Sequence, residues 1–182
     1  SEGETIQGWV FTPPAGAGDP PYPLVVEVHG GPHAMWSPSG TMFHEFQTLA
    51  AEGYAVFASN PRGSVGYGEA FAMAIERDWG AVTAMDVLAG VDEVTRRDDI
   101  DGEECFLTGG SFGGFMAGWL VGHTDRFEAA VAQRGVFDLS SFYGSTDAFK
   151  LIEGDFDATP NEEPYFLWDQ SPVAAVPDVD TP

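Results

Sequence analysis

Basic residues are scarce in this sequence. Seven Lys+Arg stand against 29 Asp+Glu, a formal net charge of -22, and Lys150 is the only lysine. A surface of that sign repels nucleic acid and anionic membranes, so neither is expected as a partner. Cysteine is nearly absent. Cys105 alone cannot form an internal disulfide, and its apolar neighbours mark it as a packing residue, which fits a reducing, cytoplasmic location. No apolar run approaches the ~20 residues a membrane-spanning helix needs. The start, Ser1-Glu2-Gly3-Glu4, has no basic segment followed by an apolar one, so no signal peptide is visible. The acidic residues are spread along the chain and gathered in no single tail, so no specific cation site is implied. They fit adaptation to a high-salt interior, where screening removes the self-repulsion.

What is present suits a folded domain. The 182 residues are 43% hydrophobic and 13% aromatic, enough for one domain, 1–182, with a sizeable core. Thr5 to Phe11 alternates loosely as an edge strand does. Thr12 to Pro23 is a proline- and glycine-rich connection. Leu24-Val25-Val26-Glu27-Val28 and Tyr54 to Ala58 read as strands, each followed by a glycine-rich turn. Met42, Phe43, Phe46, Leu49 and Ala50 share a helical face ended by Gly53. A further helix runs through Phe71, Met73 and Ile75. Val82, Met85, Leu88, Val91 and Val94 form a clean amphipathic helix. Ala129 to Ala132 is again strand-like, and the rest is irregular, with short helices expected around Asp147 to Ile152 and Tyr165 to Trp168. This alternation predicts an α/β fold, a mostly parallel sheet with helices on both faces.

The chemistry centres on Glu104 to Gly118. A short apolar strand, Cys105 to Leu107, meets a turn made almost wholly of glycine around Ser111. An apolar helix follows, with Phe115, Met116, Trp119 and Leu120 at helical spacing. Gly109-Gly110-Ser111-Phe112-Gly113 fits G-x-S-x-G, a nucleophile elbow. Strand and helix come so close around such a turn that side chains two before and two after the serine would collide, hence glycine there. The serine is expected in a strained conformation, its hydroxyl clear of the sheet and facing the helix N-terminus.

A serine hydroxyl attacks only when a base takes its proton and donors hold the resulting oxyanion. One donor is expected from the N–H of Phe112. The second is expected from Gly31, in the turn His29-Gly30-Gly31-Pro32 after the first central strand. Arg62 has a fork of donors that fits either a substrate carboxylate or neighbouring loop carbonyls. Tyr67 is a further candidate for substrate contact, although Tyr67 and Trp79 suit packing better.

Three motifs in order carry a family resemblance: His29-Gly30-Gly31-Pro32-His33, Asn60-Pro61-Arg62-Gly63-Ser64-Val65-Gly66-Tyr67-Gly68 and Gly109 to Gly114. Together they resemble the catalytic domain of the prolyl oligopeptidase family of serine peptidases. Asp78-Trp79-Gly80, Gly122 to Phe127 and Ala130 to Arg134 resemble its acylaminoacyl-peptidase-like branch. The resemblance implies an α/β-hydrolase fold, Ser111 as nucleophile, and Gly31 and Phe112 as oxyanion donors. It implies hydrolysis of short peptides, acylaminoacyl- or dipeptidyl-peptidase-like, without metal or organic cofactor. His29 stands where some relatives place a tyrosine on the oxyanion, and that role is not carried over. The family's propeller domain has no counterpart in this sequence.

The order Ser, Asp, His of α/β-hydrolases leaves the triad incomplete by Pro182. The expectation is therefore a domain lacking its last strands, with the triad Asp and His beyond Pro182 and little activity alone. His29 and His33 lie on the oxyanion turn, His44 opens a helix and His123 ends the elbow helix; each reads as a structural histidine. Asp138, Asp147, Asp155 and Asp157 read as solvated acids. A carboxylesterase of the same fold, or an inert fragment, are the competing readings. The sequence leaves a homo-oligomer open.

Overall fold

The computed structural model describes residues 3–37 and 44–182. Five strands form one sheet in the order β1-β3-β2-β4-β5: β1 Gln7–Phe11, β2 Tyr22–Val28, β3 Ala55–Asn60, β4 Ile100–Gly110 and β5 Ala129–Gln133. β1 pairs antiparallel with β3, and every other pair is parallel. Among the described residues the helices are α1 His44–Ala51, α2 Glu69–Ala72, α3 Ala81–Val94, α4 Phe112–Val121, α5 Leu139–Ser145, α6 Phe149–Phe156 and α7 Pro164–Asp169. Short 3-10 turns cover Met73–Ile75 and Pro172–Asp178. This is the α/β-hydrolase arrangement expected from the sequence.

The pleat assigns the two faces. Leu24, Val26 and Val28 of β2 lie in register with Ala55 and Phe57 of β3 and with Cys105 and Leu107 of β4. These join Val87, Val91 and Val94 of α3 and Phe115 and Met116 of α4 in the main core. The intervening residues point the other way, where Val56 and Ala58 pack on Phe46 of α1. Parallel strands need cover on both faces, so their sequence reads as unbroken apolar runs. Each fully buried Leu, Val or Phe contributes roughly 1.5–3 kcal/mol. Beyond α1 the second face is thinly covered, and Val131 of β5 is 62% exposed.

Several expectations need adjusting. Met42 and Phe43 of the first expected helix lie outside the described residues. The strand expected over Cys105 to Leu107 extends back to Ile100. The helix through Phe71 breaks into α2 and a 3-10 turn. In the segment read as irregular, α5 is an additional helix, capped where the Asp138 carboxylate accepts from the Ser141 N–H at 2.9 Å. Among the described residues no helix is long and apolar enough to cross a membrane.

Candidate active site

Ser111 caps α4 at the end of β4, with φ 61 and ψ -116, and its side chain is exposed. A non-glycine residue at that φ is uncommon and costs of order 1–3 kcal/mol. The neighbours show what holds it there. The Ser111 N–H donates to the Gln133 carbonyl at 3.0 Å, and its carbonyl accepts from Phe115 at 2.9 Å. A Cβ on Gly113 would lie 2.0 Å from the Val28 carbonyl oxygen, and one on Gly109 would lie 2.7 Å from the backbone of Gly113. The two glycines of the motif are thus a packing requirement.

The turn after β2 comes down beside the serine. A Cβ on Gly30 would be 3.4 Å from the Ser111 Cβ and 3.9 Å from its Oγ. Gly31 follows at φ 134, exposed, with a cis peptide to Pro32. Among the described residues, the Gly31 and Phe112 N–H groups have no backbone acceptor. Phe112 itself is buried against Trp79, ring centroids 5.3 Å apart.

The opposite wall was missed in the sequence. The Arg134 guanidinium lies where a Cβ on Gly110 would meet it at 2.5 Å, and Arg134 has φ 43. A Cβ on Gly114 would meet the Gln133 carbonyl oxygen at 2.5 Å. Glycine at 110 and 114 was the available signal, since each admits a neighbour that no local pattern names.

The histidines are engaged elsewhere. His29 is 3% exposed, its Nδ1 2.7 Å from the Gly30 carbonyl oxygen and its Nε2 2.9 Å from Ser64 Oγ. Burial pulls its pKa down, partly opposed by the bond to Gly30. His33 has Nδ1 2.9 Å from the Gly63 carbonyl oxygen and Nε2 3.0 Å from Asp155 Oδ2. His123 stacks on Trp119 at 4.3 Å and bonds the Trp119 carbonyl. Each of these rings is held by its own partners, and none of these bonds involves Ser111.

One sequence expectation is corrected, and Arg62 and Tyr67 gain defined partners. Asp155 is not a solvated acid: it is 8% exposed and bonded to both His33 and the Trp79 indole N–H, the latter at 2.7 Å. The donor fork of Arg62, open in the sequence to a substrate group or to loop carbonyls, meets Asp86, Nε–Oδ2 and Nη2–Oδ1 each 2.9 Å, with its own N–H on Oδ2 at 2.8 Å. The pair is buried, its side chains 9% and 0% exposed. Tyr67 likewise packs on Phe71 at 5.0 Å, and its hydroxyl joins Asn60 and Gln7.

Glu27 is an unexpected buried acid. Its place in β2 turns it toward α1, 5% exposed, with Oε2 lacking a hydrogen-bond partner. Burial pushes its pKa from the ordinary 4.5 to about 8; the Glu45 charge adds to this and Arg134 opposes it. Among the described residues no group of three or more His, Cys, Asp or Glu could hold a metal.

The comparisons with known proteins agree with this geometry. The sequence profile of the prolyl oligopeptidase family matches residues 40–182. The chain is 44% identical over 183 residues to the uncharacterized peptidase YuxL of Bacillus subtilis, covering 100% of this chain and 28% of that protein. It is 34% identical over 177 residues to dipeptidyl-peptidase 5 of Schizosaccharomyces pombe, covering 94% and 26%. Pyrococcus horikoshii acylaminoacyl peptidase superimposes with a TM-score of 0.89 at 30% identity, over 97% of this chain and 28% of that one. A Mycobacterium tuberculosis puromycin-hydrolyzing peptidase gives 0.86 at 29% identity, over 100% and 28%. The chain thus spans little more than a quarter of the length of the relatives it matches.

Proposed function

The chain belongs to the prolyl oligopeptidase family, and on that footing we propose that it supplies the nucleophile and oxyanion site of a serine peptidase acting on short peptides. The observation that carries this is the exposed Ser111, held at φ 61 between β4 and α4, with the Gly30 backbone beside its Oγ.

Ser111 Oγ attacks the scissile carbonyl, and a base takes its proton as the C–O bond forms. The carbonyl oxygen becomes an oxyanion, held by the N–H groups of Gly31 and Phe112. These are fixed donors that need no reorganisation when the charge develops, and removing one such donor costs about 10²–10³ in kcat. Collapse of the intermediate expels the protonated amine and leaves an acyl-enzyme. Water then attacks the acyl carbon and releases Ser111. The four histidines of this chain are placed or bonded for other tasks, so the base and its orienting acid are proposed to come from polypeptide outside this sequence. The relatives' names point to acylaminoacyl- or dipeptidyl-peptidase-like cleavage of short peptides.

The test is a fluorophosphonate probe on the intact protein that carries this chain. Labelling at Ser111, abolished by Ser111→Ala, is expected. A folded protein that resists labelling there sinks the reading. Comparing peptide p-nitroanilides with short-acyl p-nitrophenyl esters then decides between peptidase and carboxylesterase, which the same elbow serves equally.

A further inference from the structure

We propose that Trp79, Asp155 and His33 form a positioning strut that fixes the spacing between the two oxyanion donors, Gly31 and Phe112. This rests on the peptidase reading above.

The strut can be followed atom by atom. The Trp79 ring is 1% exposed and packs edge-on against Phe112, the residue that carries one donor. It also touches Phe115 at 5.6 Å and Phe156 of α6 at 5.0 Å. Its indole N–H donates to Asp155 Oδ2 at 2.7 Å. The Asp155 carboxylate accepts from His33 Nε2 at 3.0 and 3.2 Å. His33 lies two residues after Gly31, which carries the other donor. One continuous path of packed and bonded side chains therefore joins both N–H groups without passing through Ser111.

Each node is anchored. The Asp155 carbonyl accepts from the Arg77 N–H at 2.8 Å. The Arg77 guanidinium is taken by the Phe156 carbonyl and by Glu163, at 2.6 and 2.8 Å. On the other side, His33 Nδ1 meets the Gly63 carbonyl at 2.9 Å. Both ring nitrogens of His33 thus face oxygen atoms, and the Asp155 carboxylate on one of them is largely buried. Gly31 sits at φ 134, and a Cβ there would lie 2.7 Å from the His33 N. The turn is so tight that a shift of His33 moves the Gly31 N–H with it. An error near 1 Å at a catalytic group can cost about 10²-fold in rate.

The experiment measures the rate constant for phosphonylation of Ser111, and kcat and KM on a peptide p-nitroanilide, in the intact protein. His33→Ala and Asp155→Ala are each expected to lower the rate constant and kcat by about tenfold or more, with KM changed by less than about threefold. The double variant should fall little further, because the two act as one unit. Asp155→Asn is the rescue. Its amide oxygen still accepts from Trp79, and its NH2 donates to Nε2 of a neutral His33 that keeps its Nδ1 proton for Gly63. It should stay within about threefold of the unsubstituted protein. Should either alanine variant fail to fold, His33→Gln, which reaches only one of the two acceptors, carries the same expectation of lowered kcat. Undiminished labelling in folded His33 or Asp155 variants overturns the strut. So do multiplicative losses in the double variant, or an Asp155→Asn as slow as Asp155→Ala. Absence of labelling in the unsubstituted protein instead strikes the peptidase reading.

Discussion

A Cβ on Gly113 would lie 2.0 Å from the carbonyl oxygen of Val28 and 2.8 Å from its carbon. No side-chain rotation relieves that contact, since both partners are backbone. Gly113→Ala must push α4 away from β2, taking Ser111 with it. We expect destabilisation at or beyond the upper end of the roughly 1–3 kcal/mol typical of overpacking, together with loss of fluorophosphonate labelling. Gly154 in α6 is the control: it is exposed and a Cβ there meets nothing within 4 Å. Gly154→Ala should stabilise by about 0.5–1 kcal/mol, as expected for alanine over glycine inside a helix. Urea unfolding of both variants checks the contrast.

The Arg62–Asp86 pair predicts a different pattern. Their side chains are 9% and 0% exposed. Asp86→Ala removes the buried carboxylate that three Arg62 hydrogen bonds reach and should cost about 3–5 kcal/mol. Replacing both, Arg62→Met with Asp86→Leu, should cost clearly less, because the desolvation of two charges is removed along with their attraction. If the double replacement proves as costly as the single one, the pair does more than satisfy itself.

Much of this was legible in the residues, for reasons of locality. β2, β3 and α3 announce themselves through apolar runs and helical spacing, and the elbow through glycines whose necessity is steric. What stayed hidden depends on partners far along the chain. Asp155 looked like one acid among many because His33 and Trp79 are 122 and 76 residues away. Arg62 showed a donor fork but not the Asp86 on α3 that fills it. Helix α5, Leu139-Ser140-Ser141-Phe142-Tyr143-Gly144-Ser145, is built from poor helix formers and held by a cap and by Leu139 in the core. Tertiary packing overrides propensity there.

The charge balance predicts a salt response. With 29 acidic against seven basic residues, the folded state works against its own repulsion at low ionic strength. Raising NaCl from about 0.1 M to above 1 M shortens the Debye length from ~10 to ~3 Å and should raise Tm. The Ser111 labelling rate toward a neutral probe should change far less. A Tm that stays level or drops over that range removes the case for adaptation to a salty interior.

Glu27 makes stability fall with pH where an ordinary surface acid would not. In the folded protein its carboxyl holds a proton up to about pH 8, against an ordinary value of 4.5 in the unfolded chain. Below the unfolded value both states are protonated and nothing is lost. Above it the unfolded chain releases the proton while the folded one keeps it. The folded state then binds more protons, and stability declines as pH rises, levelling off past the folded value. The loss from about pH 5 to about pH 8 is on the order of 3 kcal/mol, at about 1.4 kcal/mol per pH unit. Glu27→Gln keeps the shape and carries no titrating proton, so its advantage over the unsubstituted protein should be absent near pH 4 and grow toward pH 8. Glu45→Gln should reduce the decline, because the Glu45 charge helps to hold the Glu27 proton, while Arg134→Gln should steepen it. Urea midpoints across that range measure the slope, and a Glu27→Gln curve running parallel to the unsubstituted one would show that the carboxyl at this strand position ionises as it does in water.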